Sequence, residues 1–585
     1  MAIANKLNDN VKLKHNTIID KSVEFVVNEQ LYDEDLWDRL VNQFKLRHDV
    51  EDNGWRGEFW GKLMRGGVFV YKYTRDDKLY AILEKAVKGL LETQDELGRI
   101  ATYTTDYEFI AWDLWCRKYV MLGLEYFYDI CKCEELKKNI VTALMKHADY
   151  IIDHIGEGKI EINELPKNYL YGLNSSSILE PYVMLYNLSG EKRYLDFAEY
   201  IIARGGSTVI DIFETAYENK IFPYDYPVRK AYEMMSCFEG LLEYYKVTGN
   251  EKYLISVENF VEQVAKSEIT IVGSAGCDGE FFNNSSKKQI HKNDHESEQE
   301  TCVTVTWMKL CYKLLLLTGK AKYADYIEQS MYNAMIGAIN TDFSNANCGM
   351  VFDSYSPLVN EKRGQGMGGI KTLNWIHVFG CCVAIGAAGV GISALLPVLK
   401  GADEVVFNTY LNGDVECDLE NGKTFKASIN TAYPYDSNIK ITITKADNCT
   451  VKIRVPDFAE NAKLSLNGKE IDTEIGYNTV TVNSGDEIVL IIDCEPKLVS
   501  SKGFDPESEE KFVFRAGPVV LASDKRLSSI PEKLCTKGIK IEKTEVGIVS
   551  NTAYKVITAD SEFLLVDYAS AGKTWKKDSE LCVWF

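Results

Sequence analysis

Two long segments of the chain each end in cysteine at the expected start of a helix. The first spans residues 272–302 and ends in the sequence ETC, and the second spans residues 345–382 and ends in CC. The side chains of interest are Glu300, Cys302, Cys381 and Cys382. One carboxylate and three thiolates are a ligand set for tetrahedral Zn²⁺, and the positive end of a helix favours the thiolate form. Because the spacing is not that of a zinc finger, plain buried thiols remain the alternative.

Glu280 lies in the first of these segments and is a candidate general acid or base. Gly279 precedes it, and Phe281 and Phe282 follow it. A carboxyl group packed against aromatic rings loses its hydration, which favours the protonated form that a general acid needs near neutral pH. A half-buried structural glutamate at a turn is the simpler alternative.

The segments interrupt a region of helical periodicity that extends from about residue 30 to 395, where apolar residues recur every three or four positions. A motif of the form apolar-Ser/Thr-Gly-x-x-Lys/Arg-Tyr occurs in it at 188–194, 247–253 and 317–323. Its glycine predicts the left-handed end of one helix, and its tyrosine opens the next helix of a hairpin. Such hairpins stack into an open solenoid or a closed toroid of six, and the irregular spacing and long loops favour the toroid.

Beyond residue 400 the pattern changes to short, alternating, β-branched segments separated by turn signals such as Asn-Gly. The sequence therefore predicts a multidomain α + β protein with three units. These are an (α/α)6 barrel at 20–398, a β-sandwich at 399–499 and a second, smaller β-sandwich at 500–585. Residues 1–19 are expected to add a strand to the last of these units.

Composition excludes several classes of function. The chain has 585 residues and a formal charge of -20, which argues against nucleic-acid or anionic-membrane partners because these need a basic surface. No apolar run is long enough to span a bilayer, and the N-terminus lacks the features of a signal peptide. The 15 cysteines, an odd number, indicate free thiols in a reducing compartment, so we expect a cytoplasmic protein.

Three motifs occur in a fixed order, Gly279-Glu280-Phe281, Glu300-Thr301-Cys302 and Cys381-Cys382. Together they resemble glycoside hydrolase family 127, the β-L-arabinofuranosidase-type enzymes, and the likeness covers nearly the whole chain. The resemblance implies an (α/α)6 barrel followed by β-sandwich domains, in agreement with the periodicity. It implies that Glu280 is the general acid/base, that Glu300, Cys302 and Cys382 are Zn²⁺ ligands, and that Cys381 is both a ligand and the nucleophile of a retaining hydrolysis.

The sugar pocket departs from the family pattern. Where characterised relatives place histidines, this chain has Lys118, Ser177 and Tyr226, and Arg229 lies close to the last of these. Lys118 and Arg229, together with Arg117, would suit an acidic or branched sugar, although salt-bridged helix residues are the alternative. Further candidates for a sugar platform are the aromatic residues Trp112, Trp115 and Tyr232.

The expected substrate is a small oligosaccharide or glycoside ending in β-L-arabinofuranose or a related pentose or deoxysugar, and a homodimer is compatible with the sequence. Two alternatives stay open. One is a non-catalytic carbohydrate-binding or assembly protein with a structural zinc. The other is a different sugar-active enzyme on the same barrel, although an epimerase would require a histidine pair and the chain has only 7 histidines.

Overall fold

The structure is a computed structural model, which describes residues 3–51, 54–165, 170–291, 298–341, 350–358, 361–363, 368–374, 377–531, 533–573 and 580–585. Its helical part contains the α-helices α1 (Ile18–Val26), α2 (Glu34–Leu46), α3 (Gly57–Thr74), α4 (Asp77–Leu91), α5 (Asp113–Ile130), α6 (Glu134–His154), α7 (Leu173–Ser176), α8 (Leu179–Ser189), α9 (Lys192–Ala203), α10 (Ile212–Glu218), α11 (Ala231–Thr248), α12 (Glu251–Ser267), α13 (Ser285–Lys288), α14 (Thr301–Thr318), α15 (Lys322–Ser330) and α16 (Cys381–Leu395). Short π-helical turns, Val27–Leu31 and Met331–Met335, follow α1 and α15.

The inner helices form a closed ring. Going round it, each of α3, α5, α8, α11, α14 and α16 packs against the next, and α16 returns to α3. The remaining long helices, such as α4, α6, α9, α12 and α15, pack on the outside of this ring. The arrangement is the (α/α)6 barrel that the sequence predicted, and the open solenoid is excluded by the contact between the last inner helix and the first.

The repeated glycine motif ends inner helices as predicted. Gly190, Gly249 and Gly319 are the C-caps of α8, α11 and α14, with φ of 73°, 68° and 65°. In each case the glycine N–H donates to a carbonyl of the preceding turn, which satisfies a group that the helix end leaves open. The outer helix of the hairpin then begins within three residues.

Small residues allow α16 to approach α3 closely at the point where the ring closes. A Cβ atom added at Gly66 would lie 2.7 Å from the Cβ of Ala387, and one added at Gly391 would lie 2.5 Å from the Cβ of Phe69. All of α16 is buried. The run of glycine and alanine after Cys382 therefore lets the helix that carries the two adjacent thiols pack directly against its neighbour.

Strands occupy the loops of the barrel and the rest of the chain. They are β1 (Lys12–His15), β2 (Asp278–Gly279), β3 (Glu298–Glu300), β4 (Tyr355–Pro357), β5 (Glu361–Lys362), β6 (Ile370–Leu373), β7 (His377–Gly380), β8 (Val398–Lys400), β9 (Glu404–Phe407), β10 (Gly413–Asp418), β11 (Thr424–Thr431), β12 (Asn438–Lys445), β13 (Cys449–Val455), β14 (Lys463–Leu466), β15 (Lys469–Ile471), β16 (Gly476–Val482), β17 (Glu487–Ile491), β18 (Pro496–Ser500), β19 (Phe512–Ala516), β20 (Val519–Asp524), β21 (Lys540–Lys543), β22 (Ala553–Ile557), β23 (Glu562–Asp567) and β24 (Glu580–Cys582).

Two sheets follow the barrel and pack face to face. One has the order β1-β10-β11-β12-β17-β14-β15 and the other β16-β13-β9-β8. Their inner faces meet through Phe407 and Phe425, whose ring centroids are 6.3 Å apart. The expectation that N-terminal residues join the C-terminal unit is wrong, because β1 pairs with β10 in this first sandwich. Without β1, the strand β10 would be the edge strand of this sheet. In the C-terminal sheet, the additional pairing is made by β24 and β5.

The C-terminal strands form one branched sheet, β18-β19-β20-β23-β22-β21, in which β24 also pairs with β20. It begins at Pro496, slightly before the predicted residue 500. Polar contacts fix both β units to the barrel. Arg454 on β13 forms ion pairs with Asp325 and Glu328 on α15, and Asn333 bonds to the backbone of Pro518 and Val520. Within the described residues, no helix is both long and apolar enough to cross a membrane.

Candidate functional site

The predicted ligand residues meet at one point in the barrel. One ligand atom from each of Glu300, Cys302, Cys381 and Cys382 lies within 4.8 Å of every other, and all four residues are buried. The two adjacent sulfur atoms are 3.8 Å apart, and the Glu300 Oε1 atom lies 4.0 Å from the Cys381 Sγ and 3.5 Å from the Cys382 Sγ. Residues about 80 positions apart in the sequence are thus in contact in the structure.

This cluster has the dimensions of a tetrahedral metal site. Four ligands at Zn–S distances of about 2.3 Å place two sulfur atoms about 3.8 Å apart and a sulfur and an oxygen about 3.5 Å apart. The distances of 3.8 Å between the two sulfur atoms and 3.5 Å between Cys382 Sγ and Glu300 Oε1 match these values, and that between Cys381 Sγ and Glu300 Oε1 is longer, at 4.0 Å. The donors are soft thiolates with one carboxylate. The residues present therefore fit a Zn²⁺ ion.

Two helix starts and a tight loop position the thiols. Cys302 is the second residue of α14, and Cys381 and Cys382 are the first two of α16. The Cys381 N–H donates to the Gly369 carbonyl at 3.2 Å, in the loop just before β6. Gly369 has φ of 60°, and a Cβ atom there would lie 2.1 Å from the Cys381 Sγ. Only glycine fits this position, since the loop backbone lies directly against the sulfur.

The protonation of the cluster is set by burial and by mutual contacts. Burial, together with the charge on Cys381, raises the pKa of Glu300 to about 8. Thiol hydrogen bonds from Cys302 and Cys382 hold the pKa of Cys381 well below its usual range, and Lys62 and Lys230 act in the same direction. Burial instead raises the pKa values of Cys302 and Cys382. The thiol at the first position of α16 is therefore the one most readily deprotonated.

Glu280 lies beside this cluster because three short strands bring its segment there. In the sheet β2-β3-β4, Gly279 is paired with Gln299, and Glu300 is paired with Tyr355. The Tyr355 hydroxyl donates to Glu280 Oε1 at 3.0 Å. Lys230 forms an ion pair with the other carboxylate oxygen, and an antiparallel bridge between Lys230 and Phe281 fixes this arrangement.

A cavity of about 210 Å³ joins the two groups of residues. The described residues that line it are Trp55, Glu58, Lys62, Trp112, Trp115, Lys230, Tyr232, Glu233, Glu280, Glu300, Gly369 and Cys381. Cys381 is 8% exposed, whereas Cys302 and Cys382 are fully buried behind it and line no part of the cavity. The three aromatic residues named as sugar-platform candidates, Trp112, Trp115 and Tyr232, all lie on this wall.

A second charged pair on the cavity wall was missed by reasoning from sequence. Glu58 and Lys62 lie one turn apart on α3 and form a salt bridge at 3.1 Å. The Trp115 indole N–H donates to the same carboxylate, and the Lys62 ammonium lies 4.5 Å from the centre of the Tyr232 ring. Burial raises the pKa of Glu58 to about 7. The signal was present as charged residues in the strongly apolar stretch GEFWGKLMRGGVFV.

The four residues expected to bind the sugar, Lys118, Ser177, Tyr226 and Arg229, are not among the described residues that line the cavity. Lys118 is buried deeper in the barrel, 4.4 Å from the Trp115 ring centre, and burial lowers its pKa to about 8. The Ser177 hydroxyl donates to the Asn174 carbonyl at 2.6 Å, and Tyr226 is buried. Arg229 is exposed, and it is the adjacent Lys230 that reaches the site.

Arg117 is a salt-bridged helix residue, which was the alternative to a role in sugar binding. Its guanidinium is fully buried and bonds to Asp113 at 2.9 Å and to Glu108 at 3.0 Å. The basic pocket for an acidic sugar, which Lys118, Arg117 and Arg229 were expected to form, is therefore not assembled by these side chains.

Comparison with known proteins agrees with this architecture. Residues 5–390 match the family model described as β-L-arabinofuranosidase, GH127 catalytic domain, and residues 404–493 match the GH127 middle domain. A non-reducing end β-L-arabinofuranosidase from Bifidobacterium longum is 23% identical in an alignment of length 385 that covers 58% of this chain and 56% of that protein. The chain thus aligns with little more than half the length of this curated relative.

Two solved structures share the fold over almost their whole lengths. A GH127 β-arabinofuranosidase superposes with a TM-score of 0.76 at 19% identity, covering 100% of this chain and 98% of its own. A GH127 β-L-arabinofuranosidase from Geobacillus stearothermophilus T6 superposes with a TM-score of 0.73 at 17% identity, covering 98% and 99%. With the catalytic-domain model matched across most of the barrel, the chain belongs to glycoside hydrolase family 127.

Proposed function

We propose that the protein is a retaining glycoside hydrolase that releases a terminal pentose, β-L-arabinofuranose or a close relative, from a small oligosaccharide. Cys381 is the nucleophile and Glu280 the general acid/base. The observation that carries the proposal is that these two side chains line one small cavity with aromatic walls, while the other two thiols lie behind it. A cavity of 210 Å³ is below the range of about 300–1,000 Å³ that holds drug-sized ligands, which suits a single sugar ring.

In the first step the protonated carboxyl of Glu280 donates its proton to the glycosidic oxygen as the bond between that oxygen and the anomeric carbon breaks. The Cys381 sulfur forms a bond to the anomeric carbon from the opposite face. Lys230 and the Tyr355 hydroxyl lie where they stabilise the carboxylate that this proton transfer produces. In the second step Glu280 removes a proton from water, the water oxygen attacks the anomeric carbon, and the thiolate of Cys381 leaves.

Glu300, Cys302, Cys381 and Cys382 would hold a Zn²⁺ ion, and when bound it would keep the thiol of Cys381 deprotonated and stabilise sulfur as a leaving group. The aromatic rings of Trp55, Trp112 and Trp115 stand edge to face around the cavity and would offer apolar surfaces to the sugar ring.

The test is hydrolysis of aryl β-L-arabinofuranosides by the wild type and by the variants Cys381→Ser and Glu280→Gln, with zinc measured in each preparation. Removing a nucleophile or an acid/base should lower kcat by about 10³-fold or more, because neither variant can complete both steps. If both variants keep full turnover, the mechanism is wrong and the Zn²⁺ site is structural. If the zinc-loaded wild type hydrolyses none of the glycosides, the non-catalytic carbohydrate-binding alternative is favoured instead. Aryl arabinopyranosides, deoxy-sugars and uronides in the same screen define the sugar.

A further inference from the structure

Glu233 is the one carboxylate on the described cavity wall that neither a lysine nor a metal-ligand cluster accounts for. Glu58 is paired with Lys62, Glu280 with Lys230, and Glu300 belongs to the thiol cluster. Glu233 is only 3% exposed, and its Oε2 atom has no hydrogen-bond partner among the described residues. A buried carboxylate oxygen without a hydrogen-bond partner is unfavourable, and Glu233 also lines the cavity, which indicates that a ligand completes this side chain.

The position of Glu233 is fixed by the backbone. It is the third residue of α11, one position after Tyr232, whose ring packs 5.1 Å from that of Trp115. The inner helix is held at this end by the hydrogen bond from the Ala231 N–H to the Glu280 carbonyl at 3.0 Å. The carboxylate is therefore held on a rigid element next to the acid/base segment, as a substrate-reading group must be.

The charge balance of the cavity points the same way. Among the described residues that line it, the only cations are Lys62 and Lys230, and each is already paired with a carboxylate. The wall thus offers an acceptor at Glu233 but no cation that is left for a substrate carboxylate. A sugar acid would bring a second carboxylate next to that of Glu233 in a desolvated space, which is strongly unfavourable.

We propose that Glu233 determines specificity by accepting a hydrogen bond from a hydroxyl of the bound sugar, so that the pocket selects neutral sugars and rejects sugar acids. The inference rests on the proposed function, because it assumes that this cavity holds the sugar. It also replaces the expectation of a basic pocket suited to acidic sugars.

The experiment compares Glu233→Gln with Glu239→Gln in the zinc-loaded, full-length protein. Glu239 is a matched control because it lies on the same helix, is fully buried and also has one oxygen without a described partner, but does not line the cavity. The substrates are aryl β-L-arabinofuranoside, its singly deoxygenated analogues and the analogue oxidised to a carboxylate at C5. Binding of free L-arabinose is measured by calorimetry, and thermal unfolding confirms that each variant is folded.

We expect Glu233→Gln to lower kcat/KM on the parent glycoside about 10- to 100-fold, mainly through KM, because the amide turns a hydrogen-bond donor towards the sugar hydroxyl. The deoxy analogue that lacks the hydroxyl bound by Glu233 should be a poor substrate of the wild type. Glu233→Gln should not lower kcat/KM on that analogue any further. The C5 carboxylate should be at least 100-fold poorer than the parent for the wild type. Glu239→Gln should leave this ranking unchanged.

Equal losses on every analogue, or a wild type that accepts the C5 carboxylate as well as the parent, would overturn the role of Glu233. Turnover that depends on Cys381 and Glu280 but not on Glu233 removes this inference alone. If L-arabinose binds in a Glu233-dependent way but no glycoside is hydrolysed, only the proposed hydrolase function is wrong. If the protein neither binds L-arabinose nor hydrolyses any glycoside, both proposals are wrong.

Discussion

The ammonium group of Lys230 forms an ion pair with the carboxylate of Glu280, and both lie on the wall of the cavity that Cys381 reaches. Lys230 is 6% exposed at its side chain and Glu280 is 26% exposed. The pair therefore positions the proposed acid/base on a partly desolvated surface, where electrostatic interactions are stronger than in water.

Replacement of Lys230 by methionine should lower kcat/KM about 10- to 100-fold, because the carboxylate formed after proton transfer loses its cation. Lys230→Arg should recover part of this loss, since it restores the charge with a different geometry. Steady-state kinetics on an aryl glycoside measure both effects. As a control, Lys525→Met removes an exposed lysine from a 2.8 Å pair with Glu580 in the C-terminal sheet and should change kcat/KM less than twofold. Equal rates for the wild type and Lys230→Met would contradict the positioning role.

The metal site can be tested with two cysteines of one helix. Cys302 and Cys311 both lie on α14 and are fully buried, but only Cys302 belongs to the ligand cluster. Cys302→Ser should reduce bound zinc to well below one ion per chain and lower Tm, because a metal that binds the folded state stabilises it. Cys311→Ser should keep its zinc.

Chelation should likewise lower the Tm of the wild type and of Cys311→Ser while leaving that of Cys302→Ser unchanged. Elemental analysis and thermal unfolding provide both measurements. Loss of zinc from both serine variants, or from neither, would be incompatible with the assigned ligands.

The contact between the first sandwich and the barrel depends on one buried arginine. Arg454 is fully buried and pairs with Asp325 and Glu328, so Arg454→Met leaves two buried carboxylates without their cation. We expect a loss of about 3–5 kcal/mol in the free energy of unfolding, measured by urea denaturation. Lys452→Met, two residues earlier on β13, breaks a more exposed pair with Glu404 and should cost less than about 1 kcal/mol. Similar losses in the two variants would show that the buried pairs do not hold the domains together.

Lys118 gives the stability a defined dependence on pH. Burial lowers its pKa from 10.5 to about 8 in the folded protein. Between pH 8 and pH 10.5 the unfolded chain binds more protons at this site, so the contribution of Lys118 to stability rises with pH in that window and is flat below it. The full change corresponds to about 3 kcal/mol.

The free energy of unfolding of the wild type minus that of Lys118→Met should therefore be more favourable to the wild type at pH 10 than at pH 7.5. If this difference is the same at both pH values, the pKa of Lys118 is not lowered in the folded protein.

Periodicity was enough to predict the helical hairpins, because the apolar face of each helix is visible in its own sequence, whereas a closed ring was only favoured over an open solenoid. The glycines at 190, 249 and 319 end helices through a local backbone conformation that only glycine adopts readily, so these positions could be read without any tertiary contact. The ligand residues could be identified for a different reason. Their chemical types are rare together, and their order matches the motifs of a known family.

The polar wall of the cavity could not be read in this way. Lys230, Tyr355 and Glu58 come from a loop, a short strand and an inner helix that are far apart in sequence. Of the three, only Glu58 carries a local signal, a charge in an apolar stretch, and that signal does not show which site the side chain faces. Arg229 was expected near the sugar but is exposed, and the adjacent Lys230 reaches Glu280 because successive side chains on an extended segment point to opposite faces.

The sequence alone therefore determined the helical hairpins, the β-rich C-terminal region and the residues proposed as metal ligands and acid/base, because these follow from local periodicity and residue type. Only the tertiary structure decided that Cys381 rather than Cys382 reaches the cavity and that Glu280 is held by Lys230 and Tyr355. It also decided that the Oε2 atom of Glu233 has no hydrogen-bond partner among the residues that the structure describes. These relationships depend on how the sheet β2-β3-β4 and the starts of α11, α14 and α16 converge, which is a property of packing between distant segments.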